Sequence, residues 1–79
     1  MARMLFFATA RHAAGVSSQE VDVATLEEAL NLVRTRFGTE FARVLAGCRV
    51  WVNGDDPTGP SHPIGARDEI AVIPPVAGG

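Results

Sequence analysis

Thr25-Leu26-Glu27-Glu28-Ala29-Leu30-Asn31-Leu32-Val33-Arg34-Thr35-Arg36-Phe37-Gly38 is the stretch around which the rest of the chain can be placed. Thr25 and Glu28 have capping-box spacing: the Thr25 hydroxyl can accept from the Glu28 backbone N–H, and Glu28 can reach back. Leu26, Ala29, Leu30, Val33 and Phe37 then recur as one helical stripe. Glu27 and Glu28 sit in the first turn and Arg34 and Arg36 in the last turns, as the helix dipole favours. Gly38 is a natural stop. This spacing predicts one amphipathic helix with a single apolar face, which needs a sheet to cover.

Strands flank that helix on both sides. Arg3-Met4-Leu5-Phe6-Phe7-Ala8 is a short apolar run and reads as a strand; Thr9 to Ser17, small and polar with Gly15, reads as a loop. Ser18 to Val23 alternates polar and apolar residues, so it forms a half-buried strand paired with the first as a hairpin. Beyond the helix, Thr39 to Ala46 adds a short second helix with Phe41, Val44 and Leu45 inward. Cys48-Arg49-Val50-Trp51-Val52 reads as a third strand, turned by Asn53-Gly54. Asp55 to Arg67 is mostly loop, with at most a minimal strand, and Glu69 to Ile73 is the last strand. The order hairpin, helix, strand, turn, strand predicts an α+β fold. It consists of one main helix on one face of a mixed sheet of four to five strands, the first and last parallel at its centre: a β-grasp. The folded domain is expected over 1–73, with 74–79 an extended, flexible tail.

Composition narrows the function. The chain has 79 residues, enough for one modest core and little room for a deep active-site pocket. Its formal net charge is -2, with scattered Arg and no basic stripe, which argues against nucleic acid. No apolar run approaches a membrane span, and no leader is apparent, so a cytoplasmic protein without a membrane partner is expected. All seven basic residues are Arg; there is no Lys, so the chain offers no side-chain amine to acylate. Cys48 is the single cysteine and reads as a strand or core thiol, with no His and carboxylate spaced to activate it. His12 and His62 lie far apart, Asp55-Asp56 lacks a calcium-ligand run, and Glu27-Glu28 are helix-start acids. No side-chain constellation carries chemistry, and no bound cofactor or metal is expected.

The tail, Pro74-Pro75-Val76-Ala77-Gly78-Gly79, carries it instead. Pro75 biases Pro74 toward extended geometry, and two prolines stiffen the exit. Six residues at about 3.3 Å each reach roughly 20 Å past the last strand. Gly78 and Gly79 have no side chains, so they can enter a channel too narrow for any other residue. A free carboxylate is a poor electrophile. Adenylation by ATP gives it a good leaving group, and a sulfur donor can then convert it to a nucleophilic thiocarboxylate. Glycine is achiral, so the activated centre cannot racemise.

Leu5-Phe6-Phe7-Ala8 with Arg11 and Gly15 resembles the N-terminal signature of the small subunit of molybdopterin synthase, a ubiquitin-like sulfur carrier family. Val52-Asn53-Gly54 and Asp68-Glu69-Ile70 resemble its third and last strands, and Pro74 to Gly79 resembles its tail. The likeness covers nearly the whole chain; the chain departs from the pattern at Asp55 to Arg67 and at the bulkier Trp51. The resemblance implies that an activating enzyme similar to ubiquitin-activating enzymes adenylates and thiolates Gly79. The tail then enters the large synthase subunit, in a heterotetramer, and sulfur passes to a cyclic pyranopterin phosphate. Two alternatives stay open: a sulfur carrier for thiamine thiazole or cysteine biosynthesis, and a protein-conjugating modifier or binding module.

Strand parity assigns the partner surface. Met4, Phe6, Val50, Val52, Ile70 and Val72 are expected beneath Leu26, Leu30 and Val33. Leu5, Phe7, Trp51, Ala71 and Ile73 are left on the open face. Phe7, Trp51 and Ile73 with Pro74, Pro75, Val76 and Ala77 are then the docking residues, and Arg11 and Arg49 the rim charges. The narrow-channel argument gives a first prediction. Gly78→Val should reduce adenylation or sulfur transfer, measured by pyrophosphate release and product sulfur, more than it reduces partner affinity. Normal thiolation of that variant would refute the argument.

Overall fold

The structure, a computed structural model, describes residues 1–75. Four strands and three helices follow in the order β1 (Ala2–Phe6), α1 (Ala8–Ala14), β2 (Ser18–Val21), α2 (Leu26–Phe37), α3 (Thr39–Ala46), β3 (Arg49–Val52) and β4 (Glu69–Ile73). The sheet order is β2-β1-β4-β3. β1 pairs antiparallel with β2 and parallel with β4, and β3 pairs antiparallel with β4. The first and last strands therefore lie parallel at the centre, as the element order predicts.

α2 begins as its capping box dictates. The Thr25 hydroxyl accepts from the Glu28 backbone N–H at 3.3 Å, and Glu28 accepts from the Ala24 backbone N–H at 2.8 Å. Gly38, with φ of +93°, closes α2 and opens α3. A β-carbon there would strain the backbone. Leu26, Ala29 and Val33 are buried from α2, and Phe41 and Leu45 from α3, against Met4, Phe6, Val52, Ile70 and Val72 of the sheet. Leu30 and Val50 are half-buried at the margin of that core. Phe6, Phe37 and Phe41 form an edge-to-face trio with ring centroids 5.1–5.6 Å apart. Such pairs contribute about 0.5–1.5 kcal/mol each beyond the area they bury.

Four expectations are corrected. Residues expected as loop from Thr9 onward form α1, whose Ala10 is fully buried. The stretch Ala8 to Ala14 holds four alanines, the strongest helix former, and no apolar stripe long enough to betray a helix. β1 stops at Phe6, not Ala8, because Ala8 turns the chain with φ of +50°. That region costs a residue with a β-carbon about 1–2 kcal/mol. β2 likewise ends at Val21, and β3 starts at Arg49, not Cys48.

The connection from Asp55 to Arg67 is pinned more firmly than its composition suggests. Asn53 and Gly54, both at positive φ, make a two-residue hairpin turn that pairs Val52 with Asp55. Ile64 is buried, Pro63 bridges Thr25, and the backbone N–H groups of Leu26 and Glu27 donate to His62 and Pro60 carbonyls. The Asn53 amide donates to Asp68 at 2.9 Å and accepts from the Glu69 backbone N–H at 2.9 Å. Asp68 also accepts from the Gly65 backbone N–H at 2.7 Å. Among the described residues no helix is long and apolar enough to cross a membrane.

The Gly65 N–H, and after it the Asn53 amide, hold the Asp68 carboxyl below its ordinary range. A lowered folded value means the charged form favours folding. That contribution is complete above the ordinary carboxylate value of about 4 and is lost as pH falls through the lowered one. Asp68→Ala should therefore reduce the melting temperature at neutral pH, with the gap from wild type closing in acid. Melts across that range that stay parallel would refute the clamp.

Candidate functional site

Parity along the central strands builds the exposed face of the sheet. Leu5 and Trp51 are the register partners of Ala71, and Arg49 is the partner of Ile73. One residue beyond the strand, the Phe7 backbone N–H donates to the Val72 carbonyl at 3.2 Å, which holds Phe7 at the level of Ile73. Leu5, Trp51, Ala71 and Ile73 are half-buried, whereas Phe7 is 45% exposed. No helix covers them, because all three helices contribute their buried residues to the opposite face. The far end of the same face is charged: Arg3 pairs with both Glu20 and Glu69.

β4 delivers the chain to the edge of a groove. Gly47, Cys48, Arg49, Trp51, Ile73, Pro74 and Pro75 line this concavity of about 570 Å³. The structure thus brings together five of the residues expected at the partner surface: Arg49, Trp51, Ile73, Pro74 and Pro75. Phe7 flanks them across β4. Arg11 is not among them. It lies one turn into α1, in a separate concavity with His12, Gly15, Val16 and Ser17. The helix that replaces the expected loop carries it there. Val76, Ala77, Gly78 and Gly79, the rest of the expected site, lie outside the described residues.

Sequence reasoning missed Gly47 and Cys48 as groove residues. The signal was the break between the second helix and the third strand, which leaves residue 48 beside the strand rather than in it. The Cys48 thiol donates to the Val44 carbonyl at 3.2 Å, and burial pushes its pKa up, so it is held as a thiol. His12 and His62 stay apart: the His62 Nδ1 sits by the Thr58 backbone N–H at 3.2 Å, in the long connection. Among the described residues no three His, Cys, Asp or Glu side chains gather as a metal site. The arrangement presents an exposed, largely apolar surface beside Pro74 and Pro75.

A β-grasp domain with an exposed apolar surface at the exit of its last strand is the class of small protein that the fold and the groove define. Residues 4–79 match the ThiS family, and the chain belongs to it, among ubiquitin-like sulfur carriers and modifiers. Comparison with curated proteins finds no match. Among solved structures, the chain is similar to SAMP1 from Haloferax volcanii, with 28% identity, TM-score 0.84, and 99% and 98% of the two chains covered. It is similar to a chain of the Amycolatopsis orientalis BexX/CysO complex at 25% identity, TM-score 0.82, with 100% of each covered. It shares the fold of a putative molybdopterin converting factor subunit 1 from Pyrococcus furiosus, at 22% identity and TM-score 0.83, with 95% and 97% covered.

Trp51 is the single Trp and there is no Tyr, so intrinsic fluorescence reports on this groove alone. Binding of a partner to this face should shift Trp51 emission. Phe7→Ala or Ile73→Ala should weaken binding, followed by that emission, by about 1–3 kcal/mol, as truncating an interface anchor does. Unchanged affinity in both variants would remove the surface from consideration.

Proposed function

We propose that this chain is the sulfur carrier of molybdopterin synthesis, with the Gly79 carboxylate as its working group. The observation that carries the reading is the position of the tail root. β4 runs without interruption into Pro74 and Pro75 at the edge of the apolar groove, so the residues leading to Gly79 start from a docking surface. An adenylating enzyme uses ATP to form the glycyl adenylate, releasing pyrophosphate. A sulfur donor then displaces AMP and leaves the thiocarboxylate. The large synthase subunit takes up the tail, and the thiocarboxylate sulfur attacks the cyclic pyranopterin phosphate. The choice of pathway rests on the likeness of Leu5 to Ala8, and of Pro74 to Gly79, to the molybdopterin synthase small subunit. The domain supplies recognition and the tail supplies reach.

A second reading, as a protein modifier, is favoured by the 28% identity with SAMP1 across 99% of the chain. Both readings use the same activated glycine and differ in what captures it: sulfur, or an amine of another protein.

Intact-mass measurement on protein from sulfur-replete cells should find part of the chain heavier by the difference between one sulfur and one oxygen. Deleting Gly79, or adding one residue after it, should abolish sulfur transfer and leave the melting temperature unchanged, since the tail lies past the last strand. Wild-type transfer from either variant would sink the reading. Amide adducts on unrelated proteins without pterin sulfuration would decide for the modifier.

A further inference from the structure

We propose that the partner received at the end of the sheet where β4 releases the chain is a protein that rings an apolar seat with carboxylates. This chain is steered to it end-on by its own separation of charge. The proposal deepens the reading of the chain as a carrier that an adenylating enzyme receives, and it rests on that reading.

The strand directions sort the charges. β1 and β4 run parallel toward the exit end, and β2 and β3 run away from it. α2 starts at the far end, where the Leu26 and Glu27 backbone N–H groups donate to the His62 and Pro60 carbonyls. It finishes at Phe37, whose ring meets that of Phe6 at the exit end. Arg11 on α1, Arg34 and Arg36 in the last turns of α2, Arg43 on α3 and Arg49 at the start of β3 are therefore gathered at the exit end, all of them exposed. The acid that accompanies them is Glu40, paired with Arg43 at 3.4 Å.

The other acids go the opposite way. Glu20 and Asp22 lie where β2 ends, and Glu27 and Glu28 in the first turn of α2. Asp55 and Asp56 follow the Asn53-Gly54 turn, and Asp68 and Glu69 lie where β4 begins. Eight of the nine acidic residues thus occupy the far end, with two of the seven Arg, Arg3 and Arg67. A chain of formal net charge -2 is in this way positive at one end and negative at the other. Helix dipoles favour acids in first turns and cations in last turns, which accounts locally for Glu27, Glu28 and the arginines of the helices. It does not account for Arg49 on a strand, or for the far-end acids that belong to strands and turns. α2 has 12 residues, so it spans roughly 18 Å, about twice the screening length at physiological salt. A partner meeting one end therefore feels the charge of that end.

The occupant follows from what lies among the cations. Trp51, Ile73, Pro74 and Pro75 line the apolar groove at the exit end, and Phe7 is 45% exposed beside it. An apolar seat edged with carboxylates answers both features at once. A polyanion would meet the cations but leave the groove unfilled, and its field would repel the far end. A second copy would present its carboxylates at its own far end, where Met1 is the large exposed apolar side chain among the described residues. Arg34 and Arg36 lie outside the groove, so they act on the rate of encounter rather than on release.

The test uses the full chain and the adenylating enzyme of the same organism, with association and release rates measured by stopped flow from low to high salt. Wild-type association should slow steeply as salt rises. Arg34→Gln/Arg36→Gln should slow association about tenfold at low salt, leave release nearly unchanged, and converge with wild type at high salt. Asp55→Asn/Asp56→Asn changes the net charge by the same amount at the far end and should leave association nearly unchanged. Association that ignores salt, or that the arginine variant accelerates, would overturn the proposal. So would equal and opposite effects of the two variants, since net charge alone would then be acting. Phosphatidylglycerol vesicles or a DNA duplex that bind wild type and lose the arginine variant would also overturn it, as would head-to-tail self-association in sedimentation that this variant abolishes. Sulfur transfer to the pterin is a separate readout. Its absence beside steep salt dependence removes the pathway and keeps the steering, and its presence beside salt-independent docking does the reverse.

Discussion

Parallel pairing of β1 with β4 at the centre of the sheet is the constraint on which the rest of this molecule depends. Met4 meets Ile70 and Phe6 meets Val72 across that pair, and both rows continue to Val52 and Val50 on β3. The rows form the floor of the core, and every helix must pack on that side. Because partners share a face, Leu5, Ala71 and Trp51 are committed to the other side in the same step. A parallel pair also ends at one place. β4 therefore releases the chain beside Phe7, where β1 gives way to α1, and the exposed apolar face and the exit of β4 coincide.

A parallel central pair needs a long connection, and this one is kept short of slack by a few polar contacts. The capping box at Thr25 and Glu28 fixes the start of α2. Asn53 and Asp68 join the beginning and end of the 54–67 segment, so the segment closes on itself beside β3 and β4. Ile64 then seals the core from that side. These groups are exposed, so their value lies in geometry rather than in buried charge, and a charge-assisted acceptor such as Asp68 is a strong one.

The division of labour follows. The domain holds no side-chain constellation that could do chemistry among its described residues, and its groove is open and largely apolar. Under the proposed function, recognition falls to the open sheet face, where strands fix side chains to within their pleat. Under the proposed function, reactivity falls to Gly79, outside the described residues. The one thiol near that junction, Cys48, is half-buried and hydrogen-bonded to the Val44 carbonyl.

Much of this was legible in the sequence because it depends on local rules. Thr25 with Glu28, the stripe from Leu26 to Phe37, the Asn53-Gly54 turn and the alternation in β3 and β4 are each set by neighbours within a few residues. The parity of Phe6 against Phe7, or of Val52 against Trp51, follows from a period of two once the helix is known to cover one face. The tail's character is likewise sequential, being a property of Pro and Gly. What only the tertiary structure decided are the relations between distant segments. Ala8 to Ala14 has no stripe to announce a helix and is ordered by packing Ala10 into a core made elsewhere, which carries Arg11 away from the groove. Asp68 finds Asn53 fifteen residues back, and Ile64 finds the core from within a segment rich in Pro and Gly. Cys48 becomes a groove residue because α3 stops two residues short of β3. The register of β1 on β4 is set by burial summed over the whole sheet, which no local window of sequence contains.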